Sequence, residues 1–274
     1  MLKKRFIVFK YISRLIPKKS YNSAITLHNI NSSDYKWLAS LLDYLKKDYE
    51  FIDPNDIEEA LIFKKNSKKK LLLTFDDGFS SCFDICQKIL NPRKIKALFF
   101  IPTSFIDLKN KESFDFCQKH FYPNSVINQK YNREYDALSL DQILVMIKYG
   151  HIIGGHTLNH PNLALLNEDE LFNEITLSAN KLESILKSKL LFFAFPFGSL
   201  DSINSRSFLI AKKRFKYCFT NIRGGLSESP SKYFLYRQNI EPRMPISLIN
   251  AILDGKLDWK YRSSRKRSKK LYSH

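Results

Sequence analysis

Four short stretches of the 274-residue chain carry side chains able to do chemistry together. Residues 74–78 read TFDDG, so two adjacent carboxylates, Asp76 and Asp77, follow an apolar run. Residues 156–160 read HTLNH, which spaces His156 and His160 four apart. Residues 193–198 read FAFPFG, an apolar run ending in a Pro/Gly turn, and Arg237 lies further on in LYRQNIEPR. One carboxylate with two imidazoles is a common ligand set for a catalytic zinc-type ion that keeps positions open to water. Adjacent carboxylates point in different directions, so the pair divides most economically into one metal ligand and one general base. Each piece alone also has a plain structural reading, a turn or a packed histidine pair. It is their joint position that points to a site.

That position follows from the elements. Apolar runs of strand length, among them SAITLHNI, LLLTF, KALFFI, HIIGG, LLFFAF and KYCFT, alternate with amphipathic stretches of helical period. Asn167 with Glu170 three residues on forms a capping-box start for a long helix to about residue 187. Residues 103–137 break the rhythm and read as an insert with a short helix around DFCQKHF. A sustained βα alternation with near-continuous apolar strands predicts an α/β fold with a parallel sheet, open or closed into a barrel. In such folds reacting groups sit at the carboxyl ends of strands, where TFDDG, HTLNH and FPFG all fall.

Over about residues 23–255 the chain resembles the polysaccharide deacetylases of the NodB-homology type, which are similar to carbohydrate esterase family 4. TFDDG, HTLNH, FAFPFG and ALFFIP (97–102) carry the resemblance. It implies a distorted parallel β/α barrel of the seven-stranded type, a catalytic domain over 21–259, and a divalent metal, Zn2+ in expectation. Asp77, His156 and His160 would be the metal ligands and Asp76 the general base. The backbone N–H of Phe197 would help hold the oxyanion, and Pro196 and Gly198 beside it would contact substrate. Two departures stand out. Ala194 occupies the place of the family's usual motif arginine; Arg237 is the candidate replacement, with Arg243 behind it, though Arg237 could equally be a packing residue. The terminal Leu-x-His motif that supplies a general acid is absent. His28, at the end of the first strand, is the candidate replacement or else a strand-end histidine with no role. His151 falls at the start of its strand, away from the site, and His120 lies in the insert.

The implied activity is hydrolysis of an N-acetyl or N-formyl group from an amino sugar, expected to be a nucleotide- or lipid-linked intermediate of surface-polysaccharide assembly. The alternative is a catalytically inactive relative that binds carbohydrate or metal. Composition fits a globular protein, with 44% hydrophobic and 14% aromatic residues. The net charge of +18 sits at the ends: residues 1–20 and 260–274 each carry seven Lys/Arg and no acid. The near-neutral body and the lack of a recognition motif argue against nucleic acid as a partner. The basic leader 1–20 reads either as an amphipathic helix on an anionic membrane surface or as a locally packed segment, and the tail 260–274 as disordered. FIVF is too short for a signal peptide, which predicts a cytoplasmic protein, peripheral on the inner membrane face if the leader binds lipid. The four cysteines read as reduced, packed thiols.

Overall fold

The computed structural model describes residues 17–123 and 131–272; most of the predicted leader lies outside the described residues. The strands are β1 (Ser23–Leu27), β2 (Tyr49–Phe51), β3 (Lys69–Phe75), β4 (Leu98–Ile101), β5 (Ile152–Gly155), β6 (Phe192–Ala194), β7 (Tyr217–Phe219) and β8 (Gln238–Asn239). Seven of them pair in the order β7-β6-β5-β4-β3-β1-β8, all parallel. The eighth, β2, pairs with the start of β3 (Tyr49 opposite Lys69), whereas β4 joins β3 at its end, through Thr74 and Phe75.

The two ends of this order meet through Leu235, which bridges to Phe219 of β7. Its N–H donates to the Cys218 carbonyl (2.8 Å) and its carbonyl accepts from the Thr220 N–H (2.9 Å). A few residues later the same segment becomes β8 and pairs with β1, Gln238 opposite Ile25. The sheet thus curls into the distorted β/α barrel predicted from the sequence, closed by a bridge in place of a full strand pair.

Period-two alternation sorts the side chains. Ala24, Leu72, Leu98, Phe100, Ala194 and Phe219 form one buried cluster in the barrel. Leu71, Leu73, Phe75, Phe99 and Phe193, of the opposite parity, join the larger core beneath the helices. Further along the inward rows come Thr26, Thr74 and Asp76, so the barrel turns polar toward its carboxyl end.

The capping box at Asn167 and Glu170 forms as expected. The insert builds a small core of Phe105, Cys117, Phe121 and Ala137 with Phe79 from the turn after β3, and its predicted helix runs through Asn110–Phe116 and on through Cys117–Phe121. All four cysteines are free and buried. Among the described residues no helix is long and apolar enough to cross a membrane.

The expectation of a disordered tail is corrected: Arg262–Tyr272 is a helix. Its charge pattern hides the anchors. Arg265 approaches Asp258 (3.2 Å) and Glu228 (3.5 Å), Ser268 is buried, and Leu271 packs against the main core. Tertiary contacts override a sequence that reads as solvated. Lys19 also reaches Asp258 (3.0 Å) and Lys18 reaches Asp254 (3.2 Å), so the described part of the leader meets the tail segment on one side of the barrel.

Candidate active site

Asp76 continues the inward row of Leu72 and Thr74 beyond the end of β3, and is almost fully buried. An ordinary extended residue would next point Asp77 to the opposite face. Asp77 instead adopts a left-handed φ of 75°, and so does Gly78. Both carboxylates therefore serve one cavity. A Cβ on Gly78 would stand 2.8 Å from Ile101 Cγ2, so glycine is needed there for space as well as conformation.

His156 continues β5 in the same way. The HTLNH stretch is not helical; Thr157 and His160 have φ of 67° and 57°, and the His160 N–H donates to Thr157 Oγ1 (2.9 Å). Glu174 clamps this loop, accepting from the Leu158 and Asn159 N–H groups (2.9 and 2.8 Å) and from Asn159 Nδ2 (2.8 Å). His156 Nδ1 lies 2.7 Å from the Ala194 carbonyl and His160 Nδ1 lies 3.2 Å from the His120 carbonyl. A carbonyl only accepts, so both Nδ1 atoms carry a proton and Nε2 is the atom each ring can offer to a metal. Each Nε2 stands 3.6 Å from Asp77 Oδ1, and the three ligand atoms lie within 4.8 Å of one another. Ligands about 2.1 Å from a tetrahedral zinc ion are roughly 3.4 Å apart, so this donor set fits such an ion. Burial, then the neighbouring His156, pulls the His160 imidazole down to about 4, which keeps it neutral as a ligand must be.

Ala194, at the place of the family's usual arginine, contributes only the carbonyl that orients His156. Arg237, the candidate replacement, is in contact with Asp76. Its guanidinium is fully buried and grips Asp76 with two parallel bonds, Nη1 to Oδ1 and Nη2 to Oδ2, both 2.7 Å. Nε donates to the Thr220 carbonyl (3.0 Å), and Thr26 and Thr74 hydroxyls lie 3.2 and 3.1 Å from Nη1. Phe100 and Phe219 present their rings to it at 5.3 and 5.7 Å. Burial alone pushes the Asp76 carboxyl up, but Arg237, with His156, outweighs it and brings Asp76 down to about 2. Asp76 is thus ionised and fixed in direction. Arg243, the reserve candidate, lies elsewhere and pairs with Asp34.

Asp76, Asp77, His156, His160, His28 and Phe197 line one cavity of about 510 Å³. His28 is therefore at the site. Phe197 has φ 59° and packs edge-on against His160 at 4.7 Å, and its N–H has no acceptor among the described residues. Pro196 and Gly198, expected to contact substrate, are buried and shape the turn; Phe197 is the member of the three that lines the cavity. A Cβ on Gly198 would come within 2.4 Å of the Asn221 nitrogen, which explains the glycine. His151 sits at the far end of β5, bonded to Asn91 (3.1 Å), as its position implied. The insert supplies Phe121 and Tyr122, which line both this cavity and a neighbouring one of about 690 Å³ that His120 and Leu165 also line.

The polysaccharide deacetylase family pattern matches residues 63–214, more than half of the chain. The chain belongs to this family. A peptidoglycan-N-acetylglucosamine deacetylase of Bacillus cereus is 34% identical over 123 residues, a match spanning 44% of this chain and 32% of that relative. Among solved structures, IcaB from Ammonifex degensii superposes with a TM-score of 0.67 at 22% identity, covering 87% of this chain and 99% of that one. The Streptococcus pyogenes deacetylase PplD in complex with acetate gives 0.63 at 21% identity, with 85% and 98% covered. These likenesses support the barrel fold of this family member. Sequence reasoning missed Asn221, Arg223, Asn239, Glu241 and Tyr261 in the cavity wall. The strand-end rule, applied to KYCFT as it was to the other strands, leads directly to Asn221 and Arg223.

Proposed function

We propose that the chain is a metal-dependent hydrolase that removes an N-acetyl or N-formyl group from an amino sugar. The observation that carries this reading is the division of labour at 76–77: Asp77 faces two imidazole Nε2 atoms, while Asp76 is held by Arg237 and faces the same cavity. A divalent cation, Zn2+ by its fit to this donor set, would be held by Asp77, His156 and His160 and would supply a Lewis acid that polarises the amide and acidifies water. Asp76 takes the proton of the attacking water. Both of its oxygens are bonded to Arg237 and each keeps a lone pair for that proton, so the pairing trades basicity for direction. The Phe197 N–H steadies the developing oxyanion. His28, at the end of the neighbouring strand β1 and lining the same cavity as the carboxylates, delivers a proton to the leaving amine.

The substrate we infer is a nucleotide- or lipid-linked sugar intermediate of surface-polysaccharide assembly, handled in the cytoplasm at the inner membrane face. What supports this is the meeting of Lys18, Lys19 and the basic helix Arg262–Tyr272 on one side of the barrel, with Tyr261 at the start of that helix lining the cavity. Release of acetate or formate from a panel of N-acylated amino sugars by the zinc-loaded protein tests the reading. Turnover that stops on chelation and returns with metal supports it; no release from any acylated sugar at full metal occupancy refutes it.

A further inference from the structure

The same cavity holds an arginine that meets no carboxylate among the described residues. Arg223 follows β7 and lines the same cavity as Asp76 and His156. Its Nη2 donates to the Asn239 carbonyl (2.9 Å) and its guanidinium faces the Tyr261 ring at 5.9 Å. Its Nη1 is buried and has no hydrogen-bond partner among the described residues. The other sheltered arginines behave differently: Arg237, Arg265 and Arg214 each meet a carboxylate. Glu241 is in the same wall, but it is exposed and accepts from Asn239 Nδ2 (2.6 Å). A buried cationic donor with nothing to bond is costly unless a ligand completes it.

Two further atoms in this wall lack partners. Asn221 Oδ1 and Asn239 Oδ1 are buried acceptors without donors. Their amide nitrogens are committed, Asn221 Nδ2 to the Phe197 carbonyl (3.3 Å) and Asn239 Nδ2 to Glu241, so neither amide turns to relieve the oxygen. One cationic donor flanked by two acceptors matches an anion that carries hydroxyl groups.

We propose that Arg223 binds the phosphate of a phosphate-linked amino sugar, with Asn221 and Asn239 accepting from sugar hydroxyls. The choice of sugar rests on the hydrolase reading above, whereas the anion site stands on its own geometry. The tail helix positions Arg223, because Arg265 Nε donates to the Arg223 carbonyl (2.9 Å). A Cβ on Gly224 would come within 3.0 Å of the Arg265 guanidinium, so the two segments are closely packed.

The test is calorimetric binding to the zinc-loaded protein, comparing N-acetylglucosamine with N-acetylglucosamine 1-phosphate. Wild type, Arg223→Gln and Arg223→Lys are measured, with thermal unfolding to confirm that each variant is folded. The preference is a ratio within one protein, so a general loss of affinity cancels. Wild type should favour the phosphorylated sugar by about tenfold or more, Arg223→Gln should bring the ratio to about one, and Arg223→Lys should keep part of it. Arms with a uridine diphosphate sugar and a short-chain polyprenyl diphosphate sugar identify the source of the phosphate by which binds more tightly through Arg223. A wild-type ratio of about one, or a preference unchanged in Arg223→Gln and hence owed to the metal, overturns the proposal. An Arg223-dependent preference without acetate release from any sugar upholds the anion site and removes the hydrolase reading instead.

Discussion

The two walls of the cavity are built on different principles. On the β3 and β5 side the groups that set the geometry are answered within the protein: Asp76 by Arg237, the Nδ1 atoms of His156 and His160 by the Ala194 and His120 carbonyls, and the HTLNH loop by Glu174. Asp77 and the two Nε2 atoms face the candidate metal position. On the side formed by residues 221–261, Arg223 Nη1 and the Oδ1 atoms of Asn221 and Asn239 are left open. A wall that is internally satisfied is fixed in geometry, which suits groups that must act on a bond. A wall with unmet donors and acceptors gains from a ligand that meets them, which suits recognition.

The comparison is sharpened most severely at Arg237. Arg237→Gln leaves Asp76 a buried charge with no partner, and should cost about 3–5 kcal/mol of stability in urea unfolding. Asp76→Asn combined with Arg237→Gln removes both charges and should regain most of that stability while remaining inactive. Recovery of activity in the double variant would break the account. Next in size is His28→Gln, which should slow turnover of sugar amides about a hundredfold. It should slow an N-acetylated nitroaniline far less, because that leaving group needs little protonation. Equal loss on both substrates would assign His28 to something other than proton delivery. Glu174→Gln should weaken zinc affinity by about tenfold or more in competition with a chelator, since the His160 loop loses its clamp. The smallest effect is on the open wall. Arg265→Ala frees the Arg223 carbonyl and should reduce the phosphate preference a few-fold with zinc content unchanged; a change in zinc content would show that the two walls are not separate.

The same contrast explains what was legible in the sequence. Asp76, Asp77, His156 and His160 sit within contiguous motifs at strand ends, and a parallel sheet turns strand ends into neighbours. Arg237 was readable only as one of two alternatives, because its role depends on the parity of a segment with no regular pairing until Gln238. Pro196 and Gly198 were placed against substrate because the turn falls at a strand end, yet their types serve its backbone, and of the three only Phe197 lines the cavity. The tail was misread because its anchors, Asp258 and Glu228, lie outside the charged run they hold. Arg223 was within reach of the strand-end rule by position but carries no signal by type; the missing carboxylate that distinguishes it shows only in the folded chain.

The division of labour between Asp76 and Asp77 is tested most directly by acetate release from an N-acetylated amino sugar, comparing wild type with Asp76→Asn at equal measured zinc content. The account predicts that Asp76→Asn binds zinc as wild type does and releases acetate about a hundred- to ten-thousandfold more slowly. Acetate release at the wild-type rate by zinc-replete Asp76→Asn, or loss of zinc from that variant, would contradict it.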